Sequence, residues 1–426
     1  MTKPTLDQIA ADPSCMDDYD PNAMSVAQAR AFIAQFLEPV SEPETLPIRA
    51  SLGRVLAENI VSPCNVPAHD NSAMDGIAFR FEDAKQPLTL IGTAFAGRPF
   101  AQKLGVGECV KIMTGAMIPQ GADTVEMQER VTWQGETVTL QQMPKQGQHI
   151  RRAGEDLANG QTALRKGTSM KPADIGLLAS LGIAQVQVFR KLKVAFFSTG
   201  DELVSVGEKL AEGQIYDSNR YTLYGMLTRL GAEISDLGNV PDDPVYLETT
   251  LLQAAQNNDV VITSGGVSVG EADYMKALLA KHGQVLFWKI NMKPGRPLAY
   301  GKLGLVSQNQ AHYFGLPGNP VSAMVTFYQF VQPALKALSG AAFESPVLLR
   351  ARCVSPIKKA SGRTEFQRGI LFQAEDGTYQ VATTGNQGSG ILNSMSAANC
   401  FIVLDEATGN CAPGQMVNVQ LLHGIV

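Results

Sequence analysis

The chain holds 426 residues, 45% apolar and 18% charged, a balance that excludes a disordered or fibrous protein and makes several domains the expectation. A formal charge of −5 without a Lys/Arg cluster excludes the electrostatic footprint of a nucleic-acid binder. No run reaches transmembrane length, residues 1–23 lack the apolar core of a secretory signal, and the six Cys form no CxxC pair, so a cytoplasmic protein without zinc site or disulfide framework is expected.

In chain order, 1–23 read as an acidic N-terminal extension and 24–190 as a β-rich N-terminal and linker region. There SVAQARAFIAQFL at 25–37 has helical apolar spacing, with Ser25 placed to cap it. The runs ECVKIM, DTVEM and ETVTL predict strands, and PADIGLLASLG at 172–182 predicts a short helix stopped by glycine. Across 191–340 the strand candidates VAFFS, AEISDLG, DVVITS, QVLFWKI and HYFGL alternate with helical segments at 218–230, 245–256, 274–282 and 321–339. That alternation predicts a doubly wound α/β domain with a parallel sheet. Over 341–426 helices are expected to stop, and VLLRARCV, EFQRGIL, YQVATT, CFIVL and MVNVQLL predict a small β-barrel. The fold class is therefore α/β with additional β-rich domains.

Ligands of an open α/β sheet bind beyond the carboxyl ends of its strands. Three loops expected there, STGDEL at 198–203, TSGGVSVGEADY at 263–274 and GLPGNPVS at 315–322, combine glycine with polar groups. Glycine lets backbone approach a ligand, and amides at a helix start favour phosphate. Asp201, Glu202, Glu271 and Asp273 punctuate these loops, and Asp242 and Asp243 stand in PDDP. Carboxylates beside phosphate suit Mg²⁺, which takes one or two carboxylates together with phosphate oxygens and water. Helix capping is the competing use of Asp242 and Asp243.

In FWKINMKPGRPLAYG, Lys289, Lys293 and Arg296 bracket a turn stiffened by Pro294 and Pro297, an arrangement able to face a small oxyanion, with Ser268 as a further donor. A solvated basic loop is the plainer alternative. Earlier, DNSAMDGIAF at 70–79, KIMTGAMIPQGADTVEMQE at 111–129 and HIRRAGED at 149–156 also set acids or hydroxyls beside glycine, although turns alone would account for them. His69 and His312 read as packed or surface imidazoles rather than metal ligands.

In this order, NSAMDGIA, IMTGA, RRAGED, FSTGDELV, GQIYDSNR, SGGVSVGEADY, KPGRP and LPGNPVSA resemble the MoeA family, a likeness that runs from about residue 25 to the C-terminus and includes the QRG and NQGSG segments. The resemblance implies a cytoplasmic homodimer whose active cleft lies between the α/β domain of one subunit and the N-terminal region of its partner. It implies molybdate and adenylated molybdopterin as substrates, with Mg²⁺-dependent release of AMP. Transient contact with a molybdopterin adenylyltransferase and with molybdoenzyme chaperones is also implied, and neither nucleic acid nor membrane is.

Carried over by position, Glu202, Asp273 and Asp75 take catalytic roles, and Thr114, Asp156, Asp242, Lys289 and Lys293 bind substrate. Asp242 and Asp273 would hold Mg²⁺. Ser268, Lys293, Arg296, Ser322, Arg368 and Ser389 resemble the family's molybdate pocket. Two positions depart: Ile77 stands where relatives often carry Tyr, and Arg296 where Lys is common, which replaces a point charge with a planar fork. The alternatives are a molybdopterin adenylyltransferase, which would need only a domain like 191–336, and a gephyrin-like scaffold, which would need additional chain.

Overall fold

The computed structural model describes residues 23–40, 42–265, 272–304, 310–342 and 346–422, with the backbone course alone at 272–276 and 285–288. Two compact units emerge: Thr45–Val188 forms one, and Met1–Glu44 with Phe189–Val426 forms the other. Helix α1 (Val26–Ala34) begins at a capping box, in which Ser25 Oγ accepts from the Gln28 N–H at 3.2 Å and the Ser25 N–H donates to Gln28 Oε1 at 2.9 Å. Its buried stripe Val26, Ala29, Phe32 and Ile33 joins the main core of the second unit. The helix stops short of the 25–37 expected from spacing.

In the Thr45–Val188 unit, six strands form one sheet: β1 (Gly76–Phe79), β2 (Leu88–Ala94), β3 (Glu108–Ile112), β4 (Thr124–Met127), β5 (Val131–Gln134) and β6 (Thr137–Leu140), ordered β4-β1-β3-β2-β6-β5. The period-2 geometry of strands sorts β1 cleanly. Ile77 and Phe79 enter one apolar cluster with Cys109 and Val138, whereas Ala78 faces the other way onto Val110, Ile112 and Val125. Gly76 is obligatory, because a Cβ there would collide with the Glu126 carbonyl oxygen of β4. Helix α2 (Pro172–Ser180) follows, and Gly182 turns the chain away at φ 71°.

The α/β sheet of the other unit contains β7 (Lys193–Thr199), β8 (Glu233–Val240), β9 (Val260–Ser264), β10 (Gly283–Lys289), β11 (Pro297–Leu303) and β12 (Ala311–Leu316), ordered β8-β7-β9-β12-β11-β10. Strands β8, β7, β9 and β12 are parallel, connected through α3 (Ser218–Arg229), α4 (Pro244–Asn257) and α5 (Ala272–His282). Burial on both faces explains the unbroken apolar run of β7. The sheet is not wholly parallel as expected. Strand β11, unmarked in the sequence reading, pairs antiparallel with β10 and with β12. The links from β10 to β11 and from β11 to β12 are too short for the helical crossover that parallel pairing requires.

The single helix expected at 321–339 is α6 (Pro320–Thr326), a π segment over Phe327–Val331, and α7 (Gln332–Leu338). Pro333 has no N–H for the ladder, and the Gln329 carbonyl accepts from Arg30 Nε at 2.9 Å instead. Beyond, β13 (Leu348–Cys353), β14 (Thr364–Gln373), β15 (Tyr379–Thr383), β16 (Cys400–Leu404) and β17 (Met416–Leu421) close a barrel around β14-β15-β13-β17-β16 and back to β14. Helices do not end at Gly340 as expected, since α8 (Leu392–Ala397) follows β15 and buries Met395 in the same core as Phe366 and Phe401. Phe366 of β14 and Phe401 of β16 reach the core shared with the α/β sheet, so sheet and barrel form one packed body. Among the described residues no helix is long and apolar enough to cross a membrane.

Candidate functional site

Within the Thr45–Val188 unit, strand pairing gathers three of the glycine-bearing motifs. Gly76 pairs with Ile112, which sets Asp75 beside Thr114, and the ladder Asn71↔Arg151, Ser72↔Ile150 brings up RRAGED. One Asp75 carboxylate oxygen accepts from the Thr114 N–H and the Thr114 hydroxyl, both at 2.7 Å. These two donors hold the exposed Asp75 carboxyl below the usual range. Asp70 accepts from the Ala153 N–H at 2.8 Å and from Arg152 Nη1 at 2.6 Å. Asp156 follows on the same segment, exposed, its own N–H bonded to the Val66 carbonyl.

At the carboxyl ends of the parallel strands, Asn219 at the start of α3 acts as a tie. Its Nδ2 donates to Ser264 Oγ and to the Gly318 carbonyl, each at 2.7 Å. Gly265, at φ 96°, passes so close to the Thr199 carbonyl that a side chain is excluded. The loop after β7 is stapled by Asn239, whose Nδ2 donates to the Leu203 carbonyl at 3.0 Å, and this leaves Glu202 exposed over Gly200. The paired acids divide their work. Asp243 caps α4 by accepting from Val245 and Tyr246 N–H at 3.1 and 2.9 Å, while Asp242 accepts the Thr199 hydroxyl and stays exposed at the strand end.

Asp242 could therefore offer one carboxylate to a Mg²⁺ ion whose other ligands would be phosphate oxygens and water. Asp273 falls in the first turn of α5, but its side chain lies outside the described residues, as do Ser268 and Glu271 altogether. Among the described residues no three His, Cys, Asp or Glu converge on a metal-sized centre. His312 is buried against Tyr300, and burial pushes its imidazole down to about 4, which makes it a packed neutral ring. Burial likewise pushes the thiols of Cys109 and Cys400 up to about 12, the behaviour of inert core residues.

A cavity of about 850 Å³ opens between the strand-end loops and the barrel, in the range of pockets that enclose an organic ligand. Lys293 and Arg296 reach it from the turn after β10, Ser322 from α6, and Ser389 from the loop after β15. Gly295, at φ 93°, packs directly on Ser322 and Thr326 of α6, seating the turn against the helix. The barrel contributes Lys358 and Arg363, so four cations face the cavity, and among the described residues no carboxylate lines it. An anion is the complement of such a wall.

One acid stands just behind it. Glu365 is buried, its Oε1 is 3.9 Å from Lys293 Nζ, and its Oε2 accepts from Gln367 Nε2 at 2.9 Å. Gln367 in turn donates to the Lys358 carbonyl at 3.0 Å. Lys289 is not at this cavity; it pairs with Pro297 in the β10–β11 ladder. Arg368 also stays out, 1% exposed, its guanidinium bonded to protein groups behind the wall.

Lys358, Arg363, Asn319 and Gln367 also line the cavity; the sequence singles out none of them individually, although Asn319 lies in LPGNPVSA and Gln367 in QRG. The basic stretch KKASGR was the available signal. It could not separate Lys358 from Lys359, whose buried ammonium donates to the Thr408 carbonyl at 2.7 Å and serves only to tie a turn.

Comparison with known proteins matches three family models in order: the MoeA N-terminal region (domain I and II) at 24–182, a probable molybdopterin binding domain at 195–337, and the MoeA C-terminal region (domain IV) at 350–422. The chain is 47% identical over 401 residues to the molybdopterin molybdenumtransferase of Haemophilus influenzae, covering 93% of this chain and 98% of that protein. It is 37% identical to the molybdopterin molybdenumtransferase of a Nostoc species, over 86% of each chain. Among solved structures, the molybdopterin biosynthesis MoeA protein of Pyrococcus horikoshii matches with a TM-score of 0.80 at 31% identity, covering 94% of this chain and 100% of that one.

Proposed function

The chain belongs to the MoeA family, and we propose that it is a molybdopterin molybdenumtransferase, which joins molybdenum from molybdate to adenylated molybdopterin and releases AMP. The observation that carries this reading is the cavity lined by Lys293, Arg296, Lys358 and Arg363 and, among the described residues, by no carboxylate. Molybdate is a tetrahedral dianion, and charge-assisted contacts in a partly enclosed site hold such an ion against its hydration. Ser322 and Ser389 supply hydroxyl donors there, and Ser268 is proposed to join them.

The substrate carries its own dithiolene sulfurs, so the protein needs no cysteine ligands. Its residues bind, orient and balance charge. Glu202, Asp242 and Asp273, at or near the strand ends, are assigned to the adenylate end, with Asp242 and Asp273 holding Mg²⁺, which would neutralise charge on the anhydride phosphates. Lys289 is proposed to meet the anionic part of the organic substrate. Asp75, Thr114 and Asp156 are proposed to serve the same substrate, and the active form is taken to be a cytoplasmic homodimer.

The deciding experiment supplies adenylated molybdopterin, Mg²⁺ and molybdate and follows AMP release together with metal incorporation. Coupled appearance of both is expected. Formation of adenylate from molybdopterin and ATP, without metal incorporation, would replace this reading with an adenylyltransferase.

A further inference from the structure

Arg368 is an unusual arginine for the wall of an anion site, because it is buried rather than presented. Its Nε donates to Ser394 Oγ at 3.0 Å, and its Nη2 donates to the carbonyls of Gly388 at 2.9 Å and Asn386 at 3.4 Å. The backbone of the same residue grips the same loop. Its N–H donates to Gln387 Oε1 at 2.7 Å, while its carbonyl accepts from Gln387 Nε2 and from the Thr384 N–H, each at 3.1 Å. A single residue of β14 thus holds the 384–388 loop from both its main chain and its side chain.

That loop ends at the cavity. Gly385, Asn386, Gln387, Gly388 and Ser389 all line it, and the Ser389 carbonyl accepts from the Val321 N–H at 3.1 Å, next to Ser322. The loop contains glycines at 385, 388 and 390, so its own backbone has little stiffness. The planar guanidinium adds a hold from outside, its Nε on Ser394 and its Nη2 on the Gly388 and Asn386 carbonyls.

We propose that Arg368 is a positioning residue for molybdate: it clamps the 384–389 loop so that the Ser389 hydroxyl and the loop amides face the oxyanion, while the barrel arginine that meets the anion is Arg363. This rests on the assignment of the cavity to molybdate. Arg368 stands behind the wall and acts through the loop.

The test compares Arg368→Lys with Arg363→Lys in the full-length protein, using sodium molybdate as calorimetric probe and amide hydrogen exchange over 384–389 as the structural readout. Arg368→Lys keeps the charge but loses the fork. It is expected to speed exchange in the loop and weaken molybdate about tenfold, the loss of roughly one hydrogen bond to a charged group. In turnover the loss should fall on the KM for molybdate, with saturating molybdate recovering the rate. Arg363→Lys should weaken molybdate while leaving exchange over 384–389 as it was.

Weakened binding with unchanged loop exchange in Arg368→Lys would make Arg368 a direct ligand and overturn the proposal. Faster exchange with unchanged molybdate affinity would overturn it equally. Should Arg368→Lys fail to fold, Ser394→Ala, which removes the Nε partner together with that hydroxyl's own bond to the Ile391 carbonyl, is read by the same two measurements and the same criteria. If Arg296→Ala leaves molybdate binding untouched, the cavity assignment itself falls and takes the proposal with it, an outcome distinct from a failure confined to Arg368.

Discussion

Asp75 and Thr114 lie 39 residues apart, yet one carboxylate oxygen of Asp75 accepts from both the backbone N–H and the hydroxyl of Thr114. The pair is built by the β1–β3 ladder and fixes the orientation of a fully exposed acid, so its value is directional rather than stabilising. Because the ionised carboxylate is the form that accepts both bonds, its folded-state pKa is depressed, and the interaction is present at neutral pH and lost as pH falls through that lowered value. Thr114→Val removes the hydroxyl and keeps the backbone donor. The Asp75 titration midpoint, followed by carboxyl NMR, should move part of the way up toward the ordinary carboxylate value. An unmoved midpoint would mean that the hydroxyl contributes nothing.

The two acids of PDDP should separate cleanly on mutation. Asp243→Ala removes the cap of α4 and is expected to cost about 1 kcal/mol of stability in denaturant unfolding. Asp242→Asn should leave stability near wild type and lower Mg²⁺-dependent AMP release steeply. Equal loss of stability in both variants would assign both acids to capping.

Arg296→Ala should raise the molybdate requirement, since a charge-assisted contact to a partly desolvated anion is worth about 1.5 to 3 kcal/mol, roughly ten- to a hundredfold in affinity. Excess molybdate should restore metal insertion, and binding of adenylated molybdopterin should stay near normal. Loss of adenylate binding with unaltered molybdate dependence would give the cationic turn to the nucleotide instead.

Glu365→Gln tests the acid behind the wall. Gln can still bond to Gln367 but no longer attracts the Lys293 ammonium 3.9 Å away. Lys293, itself half exposed, should then range more widely, and molybdate affinity should fall several-fold with little loss of stability. Tighter molybdate binding would show instead that Glu365 mainly repels the anion.

His312 sets an acid limit on stability. Burial depresses its folded-state pKa to about 4, below the roughly 6.5 of an unfolded histidine, so between those values the unfolded chain binds the additional proton. Stability should therefore decline as pH falls from about 6.5 to about 4, and His312→Gln should flatten that part of the curve. An unchanged pH profile in the variant would place the acid sensitivity in other groups.

Much of this arrangement is local and was legible in the residues. The Ser25 cap, the apolar run of β7, the glycine loop after β7 and the proline-stiffened turn at Lys293 each depend on neighbours a few positions away, where periodicity and backbone permissiveness speak directly. The order of eight short motifs, from NSAMDGIA to LPGNPVSA, is enough to identify the family. What the tertiary structure decided depends on contacts between distant segments. Strand β11 became antiparallel because its short connections allow no crossover, Asp242 and Asp243 parted because only one meets the α4 amides, and Lys358 faces the cavity while Lys359 is buried. Arg363 and Arg368 are five positions apart on one barrel segment, both beside glycine in the sequence. Only closure of the barrel turns Arg363 toward the cavity and draws Arg368 behind the Gly388 carbonyl, because which side of a strand meets a loop some twenty residues later is set by packing and not by spacing.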